Sequence, residues 1–452
     1  LKNFDEYLGD IIPPDFKWGA GISAYQTEGA REKEGRGKSI WDNFERGKKI
    51  KDHSNAAQAC NFYERYPSDL SRMNWLGLDQ FKTSISWPRI FPEGIGTVNK
   101  KGLDFYDRLT DEMLEKGIAP WYVMYHWDLP QALQDQGGWV NRDIVSYFLE
   151  YLEVCYELLG DRVDNWIVMN EPLVFVGAGH FLGIHAPGKV GLKNFLPAAH
   201  HVNLANAEGI NFLQDKGAKN VGTSLSFASI HPFDNKERNV AASLRVHAVI
   251  NKTFIDPMLG NWYPTTEVPF LRKMDKYAKS GDDSRIRAKP DFVGVQVYTR
   301  EVVKHSYLIP YVQAKIVSAE KRQKPITNLG QEIYYPALKE ILDWLLPHMG
   351  AKKVPIYITE CGISAEENDA AHPVDDSYRI KYYQETIKTL EPLIRSKDVR
   401  GLFYWSLLDN FEWAEGYTAP FGLFHVDFDT LERNPKLSAL WVKEFMEKLV
   451  KS

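Results

Sequence analysis

Short runs of continuous apolar residues alternate along the chain with longer stretches in which apolar positions recur every three or four residues. The short, largely apolar runs lie at 16–23, 80–87, 119–126, 165–170, 220–227, 291–298, 355–360 and 399–407. They predict strands of a sheet covered on both faces. The stretches at 102–115, 143–159, 198–214, 241–259, 337–346, 377–394 and 436–450 predict amphipathic helices. Strands and helices in strict alternation predict a parallel sheet, and eight of them at this length predict a single (β/α)8 barrel (a TIM barrel) spanning 1–452 with loop insertions. No Pro/Ser/Gly-rich linker divides the chain, and the polar segments 279–290 and 365–376 read as surface connections within one domain.

Two of the runs end in a glutamate. Asn170-Glu171-Pro172 closes one and Thr359-Glu360-Cys361 another. An unpaired charge is costly to bury, so an acid at the end of a buried strand points to water or chemistry there. In a (β/α)8 barrel all strands end at one face, which carries the site. Other polar or aromatic groups collect at those ends: Gln26, Trp87, His126, Trp127, Asp128, Asn170, Gln296, Tyr298 and Trp405. A carboxyl pair flanking one bond can hydrolyse an acetal, one group protonating the leaving oxygen while the other attacks or activates water. Those roles require the two pKa values to be pushed apart. Lys82 and the Tyr298 phenol are candidate stabilisers of an ionised Glu360, whereas Glu171 follows an apolar strand with no obvious cation nearby. Glu171 is therefore the expected acid/base and Glu360 the expected nucleophile.

Composition narrows the partners. The 452 residues are 44% hydrophobic and 25% charged, with net charge -5 and no basic stripe, so nucleic acid is not an expected partner. No apolar run approaches the roughly 18 residues of a membrane span, and no charged-then-apolar leader opens the chain. It begins at Leu1 rather than Met, which leaves a removed export signal open, while scarce cysteine (Cys60, Cys155, Cys361) leans toward a reducing compartment such as the cytoplasm. The spacing of these cysteines offers neither a disulfide framework nor a metal site, and no cofactor is expected. The neighbours His200 and His201 point about 100° apart on a helix and are assigned to packing or capping. Asp427 and Asp429 share a strand face but bring no further ligand pattern. The sequon Asn251-Lys252-Thr253 is read as chance. Thirteen Trp, 23 Tyr and 23 Phe form an aromatic load suited to sugar faces as well as to a large core.

Several longer motifs resemble the family 1 glycoside hydrolases. They are Phe16-Lys17-Trp18-Gly19, Tyr25-Gln26-Thr27-Glu28-Gly29, the Ser84–Ile90 stretch, Tyr125-His126-Trp127-Asp128-Leu129-Pro130, Asn170-Glu171-Pro172, Ile358-Thr359-Glu360 and the Trp405–Trp413 stretch. The resemblance implies a retaining, exo-acting β-glycosidase that releases a terminal glucosyl, galactosyl or fucosyl unit from a small β-glycoside or oligosaccharide. It assigns Glu171 as acid/base and Glu360 as nucleophile. Gln26, His126, Trp127, Asn170, Gln296, Glu412 and Trp413 are then sugar-binding, Trp405 the stacking platform, Tyr298 the nucleophile's hydrogen-bond donor and Phe421 a pocket wall. In a retaining pair the carboxyl groups stand about 5–5.5 Å apart.

The departures are as specific as the matches. Lys82 stands where the family carries Arg, which keeps the charge but loses the planar fork and predicts a looser hold on Glu360. Cys361 replaces an Asn after the nucleophile and is read as a small packing residue, and Gln296-Val297-Tyr298 replaces Asn-Tyr-Tyr. Leu329-Gly330-Gln331 stands for the Met-Gly-Trp that provides an aglycone platform, and Ala419-Pro420 for Lys-Arg. Intact Glu412 would repel a phosphate dianion, which argues against a phospho-β-glycosidase, and intact Glu171 argues against a plant-type thioglucosidase. A sugar-binding barrel with decayed catalysis and a predominantly transglycosylating enzyme are the alternatives at this stage.

Overall fold

A computed structural model describes residues 12–350, 354–367 and 373–451. Eight strands close a parallel barrel: β1 Lys17–Gly21, β2 Gln80–Ser84, β3 Ala119–Tyr125, β4 Asn165–Asn170, β5 Asn220–Ser226, β6 Phe292–Gln296, β7 Ile356–Cys361 and β8 Val399–Trp405. Each pairs in parallel with its sequence neighbours, and β1 closes the ring on β8 with Lys17 opposite Gly401 and Gly21 opposite Trp405. The principal outer helices are α1 Phe62–Leu76, α2 Lys100–Glu115, α3 Ile144–Leu159, α4 Leu192–Asp215, α5 Glu237–His247, α6 Ala337–His348, α7 Ser377–Arg395 and α8 Leu437–Lys451. The (β/α)8 barrel expected from the apolar pattern is the fold found.

The lumen is a solid aromatic core. Trp121 and Val123 of β3, Ile167 of β4, Phe292 of β6 and Phe403 of β8 form one buried cluster with Tyr357 of β7 packed against it. Phe403 meets Trp121 edge-on at 5.1 Å between centroids, and the Trp121 indole N–H donates to Gln80 Oε1 at 2.8 Å. Such rings fit because the facing strands carry glycine. A Cβ at Gly19 would stand 2.5 Å from both the Gln80 carbonyl oxygen and the Phe403 ring, and one at Gly222 would stand 2.8 Å from the Phe292 ring. The outward faces of the strands pack on the helices; Trp18, for example, meets Phe445 of α8 edge-on at 5.3 Å.

Several local expectations are corrected. Helix α1 was not read from the pattern: it begins after Asn61 in the left-handed region and contains Pro67, a residue that ordinarily argues against a helix interior. The stretch 241–259 is not one helix, because α5 ends at His247, a wider π turn follows over Ala248–Lys252, and a separate short helix covers Asp256–Leu259. A three-stranded side sheet (Ser229–Pro232, Arg300–His305, Ala314–Ile316) and a hairpin (Phe424–Val426, Arg433–Pro435) add to the barrel. Asp427 and Asp429 lie in the hairpin turn, where Asp427 accepts the Asp429 and Thr430 amides at 2.9 Å, and do not share a strand face.

Segment 279–290 is not simply surface. Asp282 within it is fully buried and accepts from Arg142 at 2.8 Å and His200 at 2.9 Å. In 365–376, residues 368–372 lie outside the described residues, while Glu367 and Asp376 are buried in ion pairs. His200 and His201 pack as expected, His201 on the Trp139 carbonyl oxygen at 2.9 Å. Asn251 of the sequon is buried, bonded to the Ala228 backbone through both amide atoms. Among the described residues no helix is long and apolar enough to cross a membrane.

The glycine-for-ring exchange in the lumen is testable. Gly19→Ala must displace Phe403 or the β2 backbone, and overpacking of this kind costs about 1–3 kcal/mol. A lowered midpoint in chemical denaturation, with an unchanged slope, is the expected outcome.

Candidate active site

The C-terminal strand ends build one cavity of about 250 Å³. Strand β4 delivers Glu171, whose backbone is left-handed (φ 49°) where it caps the short helix Pro172–Val176. Trp127 after β3 (φ 79°) and Trp413 after β8 (φ 47°) are left-handed too. None of the three is glycine, and each such conformation costs about 1–3 kcal/mol, a strain that concentrates at functional sites. Glu360 lies one residue before the end of β7, where the register against β6 shifts between Ile358 and Glu360.

Both oxygens of Glu360 are held. The Lys82 ammonium donates to Oε1 at 2.5 Å, and the Tyr298 hydroxyl donates to Oε2 at 2.6 Å. Lys82 thus reaches one oxygen only, as a point charge without a planar fork does, and the phenol holds the other. Lys82 also donates to Asn170 Oδ1 at 3.0 Å and lies over the Trp405 ring at 5.3 Å from its centroid, so one point charge serves three directions.

That lysine fixes the polarity of its neighbours. An ammonium can only donate, so the atom of Asn170 facing it is the amide oxygen, which also accepts from Gln296 Nε2 at 2.9 Å. The Asn170 amide nitrogen then points at His126 Nε2, 3.1 Å away, and must donate to it. His126 accordingly carries its proton on Nδ1, which has no partner in the protein. Burial first, and Lys82 second, depress the His126 pKa well below the usual histidine range, so the ring is neutral.

The carboxyl groups are driven toward the protonated form. Glu171 is pushed well above the ordinary carboxyl range by burial first and by the Glu360 charge second, with Lys82 opposing. Burial and then the Glu360 charge push Glu412 up to about 8, although Gln26 Nε2 donates to it at 3.1 Å. Burial, followed by the Glu360 and Glu171 charges, raises the Tyr298 phenol well above its usual value, so it stays a donor.

The expected site residues fall into two layers. Glu171, Glu360, His126, Tyr298 and Glu412 line the cavity, together with the aromatic walls Trp127, Trp405, Trp413 and Phe421. Trp127 and Trp413 face each other at 4.4 Å between centroids, and the Trp127 N–H donates to the Asn170 carbonyl oxygen at 2.8 Å. Gln26, Asn170, Gln296 and Lys82 sit behind this wall. Gln26 Nε2 is committed to Asn410, Phe411 and Glu412, and Gln26 Oε1 accepts from Ser23. Gln296 donates to Asn170 and Thr359 but leaves Oε1 buried without a partner. Trp87 and Asp128 do not line the cavity: the Trp87 N–H donates to the Gly94 carbonyl oxygen at 2.9 Å, and Asp128 accepts from Ser86 at 2.7 Å. Cys361 is a buried free thiol that desolvation pushes up to about 12, in keeping with a packing role.

Sequence reasoning missed His185 and Val174, which also line the cavity. His185 contacts the Trp127 ring at 5.8 Å and the Trp41 ring at 5.4 Å, and burial drops its pKa to about 4. The available signal was a histidine inside Gly183-Ile184-His185-Ala186-Pro187-Gly188, a turn-rich loop about a dozen residues after Glu171, beyond a π turn at Gly177–Phe181. Leu329 and Gln331 reach the same cavity. Among the described residues no group of three His, Cys, Asp or Glu side chains is placed to hold a metal ion.

Comparison with known proteins shows the family of the chain. The chain is 38% identical over 446 residues to beta-glucosidase A of Acetivibrio thermocellus, covering 96% of this chain and 98% of that protein. The family 1 β-glucosidase of Thermotoga maritima superposes with a TM-score of 0.91 at 36% identity, covering 97% of this chain and 99% of the other. The AHE enzyme of Alicyclobacillus herbarius superposes with a TM-score of 0.93 at 34% identity over 98% and 99% of the two chains. Residues 9–450 match the family model described as glycosyl hydrolase family 1, and the chain belongs to that family.

Proposed function

We propose that the protein is a retaining, exo-acting β-glucosidase that releases a terminal non-reducing β-D-glucosyl unit from small glycosides. The observation that carries this reading is the unequal treatment of two carboxyls at one cavity. Glu360 is held on both oxygens by Lys82 and Tyr298, while burial and the Glu360 charge keep the proton on Glu171. Glu360 attacks the anomeric carbon as Glu171 gives its proton to the leaving oxygen. Bonding to the sugar removes the Glu360 charge, the second cause of the raised Glu171 pKa. The Glu171 carboxylate, having lost its proton, takes one from water as the water oxygen bonds the anomeric carbon and the bond to Glu360 breaks, so one group does both jobs and the Glu360 charge returns. The protonated Glu412 and the Trp405 face supply a donor and a platform for the glucosyl hydroxyls and ring.

Stereochemistry tests the assignment. Glu360→Gly abolishes turnover of 4-nitrophenyl β-glucoside, and added azide restores it with the α-glucosyl azide as product, read by NMR. The β-azide would instead make Glu360 the acid/base and reverse the roles.

The pH dependence follows from the direction of the Glu171 shift. Activity needs Glu171 protonated and is lost as pH rises through its folded-state value. Neutralising the neighbouring charge in Glu360→Gln moves the Glu171 titration, followed by carbon-labelled carboxyl NMR, to lower pH. Glu171→Ala slows hydrolysis of glycosides with poor leaving groups by about 10²–10⁴-fold and removes the Glu171 ionisation from the alkaline side of the kcat/KM profile, leaving that of Glu412 at about 8.

A further inference from the structure

Behind the glucosyl end of the cavity lies a second set of buried charges that the reaction does not use. Lys436, at the entry to α8, is fully buried, and its ammonium donates to Glu367 at 2.5 Å and to Asp409 at 2.8 Å. Glu367 belongs to the loop that follows Glu360, and Asp409 to the loop after β8 that carries Glu412, Trp413 and Phe421. One cation therefore joins the loop of the nucleophile to the loop of the sugar-binding residues. Arg379 of α7, also fully buried, makes a parallel link: it donates to Glu367 at 2.8 Å, to the Ile363 carbonyl oxygen at 3.2 Å and to the Pro420 carbonyl oxygen at 2.9 Å. Asp409 in turn accepts the Gly422 amide at 2.8 Å. Phe421, a wall of the cavity, is thus pinned through both flanking residues. Arg379 also pairs with Asp376, whose carboxylate accepts the Ser438 amide at 2.7 Å and so ties α7 to α8.

Apolar side chains of similar volume would hold these elements together at least as firmly, because desolvating the ions offsets their attraction. What ions with satisfied hydrogen bonds add is direction. We propose that Lys436, assisted by Arg379, is a positioning residue for the glucosidase reaction: its shared contact with Glu367 and Asp409 sets the distance between Glu360 and the hydroxyl-binding loop at Glu412. The inference rests on the reaction proposed above. It makes Lys436 responsible for sugar recognition at a site it does not touch.

On the proposed reading the Glu412 loop takes up the hydroxyls of the sugar away from the bond cleaved, so the test compares a sugar that carries the hydroxymethyl group with one that lacks it. Lys436→Met lowers kcat/KM for 4-nitrophenyl β-glucoside by about 10²-fold, the penalty of a displacement near 1 Å, and lowers it far less for 4-nitrophenyl β-xyloside. A folded variant that loses both substrates in equal proportion makes Lys436 mere scaffold and overturns the proposal. Should Lys436→Met not fold, Asp409→Asn and Glu367→Gln each remove one arm of the bridge. Narrowing of the glucoside-to-xyloside ratio in both is expected, and its absence in both overturns the proposal. Calorimetric binding of deoxynojirimycin against its xylo-configured counterpart reads the same discrimination without turnover. If the unmodified protein hydrolyses neither aryl glycoside, the proposed reaction fails, and the binding comparison still decides the role of Lys436.

Discussion

Carboxyl groups crowded around a lysine set the terms for everything else at the barrel mouth. Glu171, Glu360 and Glu412 all face the cavity, and the Lys82 ammonium lies against Glu360 from behind the wall. Like charges in a poorly solvated site cannot all persist, so the groups farther from the cation are driven to hold protons. The same ammonium fixes the Asn170 amide, which fixes the tautomer of His126 and orients Gln296. A sugar hydroxyl can both give and accept a hydrogen bond, and the cavity answers with groups whose donor or acceptor character is already decided. Pre-organisation of this kind serves electrostatic catalysis because little reorganisation remains for the reaction step.

The barrel was legible because its signal is local. Each strand is a short run buried on both faces, and each apolar stripe at helical spacing faces that sheet. The strand-end residues were legible for the related reason that an acid or amide closing such a run is a visible exception. Features that depend on distant partners were not. Glu367 and Asp376 look like loop polarity until Lys436 and Arg379 arrive from α8 and α7, and Asp282 looks exposed until Arg142 and His200 cover it. Periodicity registers the burial of apolar side chains but is blind to polar ones satisfied from elsewhere in the chain. Helix α1 escaped for a different reason, since Pro67 contradicts the local pattern and tertiary packing against α2 and α8 overrides it.

The second layer of the site is a sharper case. Gln26 and Asn170 belong to the motifs as surely as the residues in the wall, and Gln296 stands for an Asn of the family, yet their amides are largely spent on protein partners. A motif read as sugar-binding therefore mixes groups exposed to the cavity with groups that hold them in place. His185 is the converse, a wall residue in a loop with no motif to mark it.

The two ends of the cavity follow different physical rules. On the proposed reading the glucosyl end has a polar and aromatic wall braced from behind, by Lys82 of β2 against Glu360 and by the Lys436 cluster under the β8 loop. The apolar part of the wall includes Val174 and Leu329, and Leu329 packs on the cluster of Trp405, Ala419 and Phe421. Directional bonds discriminate strongly between sugars, because a buried donor or acceptor left unpaired is penalised. Apolar contacts discriminate weakly between groups of similar size. On the proposed reading, sugar recognition is tied to the positions of these charges, and Leu329 and Gln331 meet the leaving group without touching the bonds that hold Glu360.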